Sequence, residues 1–230
     1  MKTKLSEKVA EFKSLHIPME EKFEKRTKYQ DQIQKINSKI NMIVCEPENI
    51  VPFLVPGRLL KIKSESVDWG WGILVSWTKQ RINPKKFLMA ANKKKQGIDV
   101  LSQTENHYIL DILLYVKNKL TSENLLQPGN PSEKNGRLGV VPVILHHSNI
   151  CAVATIQMNL PHNISNQTNF LQIEAMYFEV LKRFEQGNTL PLLDPKEDME
   201  IESKELDDLV SAKAKLAREI EKLDLQLMDR

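Results

Sequence analysis

Cationic and indole side chains crowd into one stretch of this chain. Arg58, Lys61 and Lys63 are followed by Trp69 and Trp71, then by Lys79, Arg81, Lys85, Lys86 and the run Lys93-Lys94-Lys95. Residues 51–100 hold ten basic and three acidic side chains, a net charge of +7. Cations neutralise phosphates and aromatic faces stack on bases, so both elements of a nucleic-acid platform are present. Strand alternation would put Lys61 and Lys63 on one face together with Leu59. Two readings of the tryptophans stay open at this point, base stacking or the filling of a small core. The lysine-rich stretch has two matching readings, a weak shape-reading contact to RNA or plain solvation of a loop.

Other chemistry is sparse. No G-x-x-x-x-G-K-[ST] string exists to cradle a nucleotide phosphate, and there is no G-x-S-x-G elbow or C-x-x-C pair. His146, His147 and Cys151 come nearest to a metal cluster, but alternation on a strand would aim the two histidines at opposite faces. Asp194, Glu197, Asp198, Glu200 and Glu202 read as a solvated acidic turn leading into a helix. No catalytic residue, metal or cofactor is expected from these residues.

The composition is that of an ordinary globular protein. The chain has 230 residues, 33 Lys+Arg against 30 Asp+Glu, and 41% hydrophobic residues, the proportions of a globular protein with a core. Its net charge of +3 conceals a division, because residues 161–230 carry −6 against the +7 of residues 51–100. A basic segment set apart from an acidic one marks where a polyanion would land. Two cysteines do not build a disulfide scaffold and fit a reducing intracellular compartment. No apolar run approaches the roughly 20 residues that cross a bilayer, so no membrane partner is expected.

The elements that must position these residues form a helical frame around a strand-rich middle. The first fifty residues lack glycine and keep a helical apolar stripe, with a break at Ile17-Pro18 and then Met19, Phe23, Gln30, Ile33, Ile36, Ile40 and Ile43. Leu206, Leu209, Lys213, Leu216, Ile220, Leu223 and Leu227 form a heptad seam at the other end. A further helix is predicted from Asn166 to Gln186, stopped by Gly187. Between these segments the period changes to two. Strands are predicted at Arg58–Lys63, Gly72–Trp77, Tyr108–Val116, Gly139–His146 and Cys151–Leu160, with long loops at 78–106 and 117–138. Five short strands suggest a small antiparallel barrel or sandwich. The organisation is an outgoing arm, a β-domain and a returning arm, an α+β fold in which the two arms could pack as an antiparallel stalk.

Two strings make the pattern recognisable. Pro52-Phe53-Leu54-Val55-Pro56-Gly57-Arg58-Leu59-Leu60-Lys61 and Trp69-Gly70-Trp71-Gly72 resemble the arch insertion, a stalk plus KOW "fist", of the nuclear exosome-associated DExH-box RNA helicases of the TRAMP complex. Gly139-Val140-Val141-Pro142-Val143 is similar to the late barrel strand of that family. Leu190-Pro191-Leu192-Leu193-Asp194-Pro195 is similar to its return into the descending arm, and Ile17-Pro18-Met19-Glu20-Glu21 to the ascending arm. The resemblance implies ascending stalk helices over 1–50, an SH3-like KOW β-barrel with long loops over 51–162, and descending stalk helices over 163–230.

The resemblance also implies a role. The family's RecA-like motor motifs are absent from these residues, so an accessory domain without ATPase activity of its own is expected. In the family, the KOW fist binds short linear motifs, apolar residues followed by an aspartate, in adaptor proteins of ribosome biogenesis and RNA surveillance. It also touches structured RNA, and the parent helicase serves the RNA exosome in the nucleus and nucleolus. Arg58 matches a family arginine that holds the motif's carboxylate. A second family arginine aligns with Gln157, which brings no charge. Ile156 and Met158 are the expected groove positions beside it, with core as their alternative. Lys61, Lys63, Lys79, Arg81, Lys85, Lys86, Lys93, Lys94 and Lys95 are the expected RNA contacts.

Overall fold

The Pro56-Gly57 step decides where the sheet begins. In the computed structural model, which describes residues 20–64, 67–81, 106–117, 126–133, 135–185 and 189–228, Gly57 takes φ +87° and turns the chain into the first strand. A glycine is needed there for conformation and for space, because a Cβ would lie 1.8 Å from the carbonyl oxygen of Met158. Five strands follow: β1 (Arg58–Ser64), β2 (Val67–Arg81), β3 (Asn106–Lys117), β4 (Gly136–Ile144) and β5 (Ile150–Gln157). They form one antiparallel sheet in the order β4-β3-β2-β1-β5, so β5 returns to lie beside β1.

Both faces of this sheet are buried. Leu59 pairs with Ile73 and Ile73 with Leu113, and this row belongs to one hydrophobic cluster. Tyr115, Leu138, Ala154 and Met158 join it from the other strands. The cluster is closed by a helix, α2 (Gln167–Glu185), through Ile173 and Tyr177. Asn166 caps that helix, its Oδ1 accepting the Thr168 N–H at 2.9 Å. On the opposite face Leu60, Ile62, Leu74, Ile112 and Leu114 are also fully or almost fully buried. Gly72 shares that face, where a Cβ would sit 2.5 Å from carbons of both Ile112 and Leu114.

Helix α2 therefore belongs with the sheet. The sequence reading placed residues 163–201 in the descending arm, but the chain divides into one unit of residues 41–201 and another whose described part is residues 20–40 and 202–228. The physical reason is the apolar face of α2, which buries Ile173 and Tyr177 against strand side chains.

Residues 20–40 lie in helix α1 (Glu20–Val44), and residues from 204 onward form α3 (Lys204–Met228). Twenty-five residues make a helix roughly 37 Å long. Ser203 caps α3 by accepting the Leu206 N–H at 3.3 Å, and Glu205 and Asp207 in its first turn suit the helix dipole. Arg26 Nε meets Asp224 Oδ1 at 2.7 Å, which places the start of α1 beside the end of α3. Among described residues the half-buried stripe of α1 runs through Arg26, Tyr29, Ile33, Ile36 and Ile40. Phe23 and Gln30, expected on that stripe, are exposed. No helix among the described residues is long and apolar enough to cross a membrane.

The strands differ from the sequence reading mainly at their ends. β2 starts five residues before the expected Gly72 and continues to Arg81, which removes part of the expected loop at 78–106. Residues 127–129, expected in a loop, pair with the end of β3: Lys117 N–H donates to Gln127 O, Gly129 N–H to Tyr115 O, and Val116 bridges Pro128. β4 stops at Ile144, so His146 and His147 lie beyond it and their rings are only 4.0 Å apart. They do not point to opposite faces, because neither sits on the pleat. β5 ends at Gln157, and residues 191–193 cover its outer edge through Thr155 N–H to Pro191 O and Leu193 N–H to Val153 O.

Candidate functional site

The first residue of β1 and the last of β5 meet as register partners, Arg58 opposite Gln157. The turn at Gly57 delivers Arg58 to this place, and the Met158 N–H donates to Gly57 O at 2.8 Å to close the corner. The Arg58 guanidinium is half-buried. Its Nη1 donates to Thr155 O at 2.8 Å and to Ala154 O at 3.3 Å, while its Nε is buried without a partner among the described residues. Burial pulls its pKa down from the ordinary arginine value. The two carbonyls of β5 thus fix the position of the Arg58 guanidinium at the end of the strand pair.

Gln157 cannot add charge to that site. Its Nε2 donates to Pro56 O at 3.0 Å, so its amide is used to tie β5 to the turn before β1. Beside it lies a cleft of about 450 Å³ lined by Pro56, Gln157, Met158, Asn159 and Leu160. Of the two expected groove positions, Met158 is buried within the hydrophobic cluster and Ile156 packs partly buried against it. Met158 thus reaches the cleft and the core together.

The expected RNA contacts divide between two ends of the sheet. Lys61 and Lys63 sit on β1, and the Lys61 ammonium lies 3.8 Å from Asp68. Lys79 stands near the far end of β2, where its ammonium lies 5.4 Å from the Tyr108 ring centroid. Lys63 pairs with Asp68 and Lys79 with Tyr108, so the two groups stand eleven positions apart along β2. Arg81 ends β2. Lys85, Lys86, Lys93, Lys94 and Lys95 lie outside the described residues.

The tryptophans occupy an intermediate position that neither sequence reading described. Trp69 and Trp71 are both half-buried. They line a groove of about 860 Å³ with Leu181 and Phe184 of α2 and with Leu192. The Tyr177 phenol fixes the strand here by donating to Trp71 O at 2.7 Å. Periodicity missed this stretch of β2, since glycines at 70 and 72 break the alternating pattern. The Trp69-Gly70-Trp71 spacing was the available signal. Trp77 is different: its Nε1 donates to Leu54 O at 2.9 Å and its ring rests on Tyr108.

Metal chemistry finds little to use. No group of three or more His, Cys, Asp or Glu able to hold a metal ion occurs among the described residues. His146 is pulled below its usual pKa by burial, then by His147 and His107. Cys45 is buried and its thiol is pushed up to about 12, chiefly by desolvation.

Comparison with known proteins gives this architecture a family. "Exosome RNA helicase MTR4" of Homo sapiens is 30% identical over 199 residues, covering 85% of this chain and 17% of the relative. "mRNA transport homolog 4" of Caenorhabditis elegans is 29% identical over 212 residues, covering 90% of this chain and 18% of the relative. "DExH-box ATP-dependent RNA helicase DExH10" of Arabidopsis thaliana is 31% identical over 185 residues, covering 79% and 17%. The chain thus spans less than a fifth of the length of these relatives. The family model described as "Mtr4-like, beta-barrel domain" matches residues 46–229, from the turn before the sheet to the end of α3, and the chain belongs to that family.

Proposed function

We propose that this chain is a non-catalytic, arch-type accessory domain of an RNA helicase, and that it recruits adaptor proteins through short linear motifs. The β unit acts as an SH3-like KOW barrel, a reading supported by its strand order, and α1 and α3 act as the arms of an antiparallel stalk. The partners are adaptors of ribosome biogenesis and RNA surveillance whose motif has apolar residues followed by an aspartate. Through the parent helicase the domain serves the RNA exosome in RNA processing and decay and in rRNA maturation, in the nucleus and nucleolus. Contact with structured RNA accompanies this role.

One observation carries the reading. At the register pair of Arg58 and Gln157, a half-buried guanidinium held by two backbone carbonyls of β5 neighbours a cleft that Gln157 and Met158 line. An apolar anchor would enter the cleft while the aspartate meets the guanidinium.

The test is a fluorescence-anisotropy titration of an apolar-plus-aspartate peptide against the chain and Arg58→Glu. Binding should be abolished by charge reversal while circular dichroism still reports a folded protein. Unchanged peptide affinity would remove Arg58 from the site.

A further inference from the structure

We propose that the outer edge of β4 receives an extended segment of another protein, which adds to the sheet as a further strand and seats one apolar side chain in a cleft against α2. This edge lies at the end of the sheet opposite β5, and the cleft shares no lining residue with the one at Gln157. The site is therefore separate from the adaptor reading.

The two ends of the sheet are finished differently. Residues 191–193 cover the free edge of β5, through Thr155 N–H to Pro191 O and Leu193 N–H to Val153 O. β4 pairs with β3 alone among the described strands. The Leu145 N–H donates to Tyr108 O at 2.8 Å, so alternation aims the backbone groups of residues 143, 141 and 139 at β3 as well. Those of Leu138, Val140, Pro142 and Ile144 face outward. Pro142 fits that phase, since it has no N–H to give the ladder. Leu138 is buried, and Asn149 Nδ2 donates to Ile144 O at 2.9 Å. The Val140 N–H and C=O, the Pro142 C=O and the Ile144 N–H are left without a partner among the described residues. An extended backbone completes such a row.

The side chains beside this edge set the chemistry of the segment. Val140 faces Leu113 across the ladder, on the side of the sheet that α2 covers, yet it stays 51% exposed. It lines a cleft of about 450 Å³ with Ile164, Phe170 and Leu171, and Leu171 is exposed too. These apolar walls suit an aliphatic anchor. Arg137 and Glu174 line the same cleft, and neither has an ion-pair partner among the described residues. One acidic and one basic side chain flanking the anchor would complement them. Proline on an edge strand blunts pairing between like chains, which favours a foreign segment over a second copy.

The test uses the whole chain and a labelled nonapeptide of alternating valine and threonine with one lysine and one aspartate, read by anisotropy and by amide hydrogen exchange. Bound peptide should slow exchange of the Val140 and Ile144 amides by about tenfold or more. Methylating the peptide nitrogens at alternate residues should weaken binding by about tenfold in one phase and leave it unchanged in the other, because only one set faces β4. Replacing the lysine and aspartate with threonine should weaken it by about threefold. Val140→Lys should abolish binding at an unchanged thermal midpoint, since a charge on an edge blocks pairing. Equal effects of the two methylation phases would overturn the proposal, because the cleft alone would then explain binding. Unchanged exchange of both amides at millimolar peptide would do the same. Protection of both amides in the chain without peptide would show that the chain covers its own edge, which also overturns it. Dimerisation of the chain that is lost in Val140→Lys would assign the edge to a second copy instead.

Discussion

Gly57 and Met158 are locked together at the corner where the sheet begins and ends. The Met158 N–H donates to Gly57 O at 2.8 Å, and the Met158 carbonyl occupies the place that a Cβ on residue 57 would need. Because φ at Gly57 is +87°, no other residue fits this corner without strain. Gly57→Ala is expected to destabilise the β unit by about 3 kcal/mol or more, from left-handed strain plus displacement of β5. Urea denaturation of the two proteins checks this, and a loss below about 1 kcal/mol would show that the corner can relax.

Tyr177 ties α2 to the sheet through its bond to Trp71 O. The ring is almost fully buried in the cluster, and Tyr177→Phe keeps that packing while leaving the carbonyl without its partner. A loss of about 1–2 kcal/mol is expected in chemical denaturation. A neutral result would mean that water replaces the phenol.

Stability should fall at both ends of the pH range. The Cys45 thiol has an ordinary value of 9.0 and is raised to about 12 in the folded chain. The unfolded chain loses this proton first, so the contribution is full below pH 9 and declines from there to about 12. Cys45→Ala should flatten that part of a plot of thermal midpoint against pH. His146 shifts downward from 6.5, so its contribution is present above that pH and is lost as the solution is acidified. His146→Gln should reduce the acid loss, and an identical acid limb in this variant would assign the loss elsewhere.

Gln157 offers a gain-of-function test of the adaptor site. Its Cα faces that of Arg58, and its side chain bonds only to Pro56 O among described contacts. Gln157→Arg would place a second cation beside the first. The affinity for an apolar-plus-aspartate peptide should rise by about tenfold, the scale of one charge-assisted hydrogen bond. Anisotropy reads the change directly, and a weaker or equal affinity would place the motif's carboxylate away from this strand pair.

Strand positions were legible wherever the alternation was clean. Alternation predicts β1 over Arg58–Lys63, against Arg58–Ser64 in the structure, and β3 over Tyr108–Val116, against Asn106–Lys117. The helix read as Asn166–Gln186 runs Gln167–Glu185. β2 was cut short in the sequence reading because Gly70 and Gly72 resemble breakers, although one serves a bulge and the other close packing. Family resemblance singles out Arg58 and Gln157, but only the structure pairs them, since Gln157 lies 99 positions further along the sequence.

The sequence by itself determined local matters: which segments are helix or strand, where the turn at Gly57 must fall, and where positive charge gathers. These follow from backbone sterics and from the period of apolar residues, both of which act over a few positions. Only the tertiary structure decided that α2 covers the sheet, that Lys61 and Lys79 stand apart, and that Trp69 and Trp71 line a groove together with α2. An amphipathic stripe states that a face will be buried but not which surface will bury it. A bulge depends on the register between two strands, so no single strand encodes it alone.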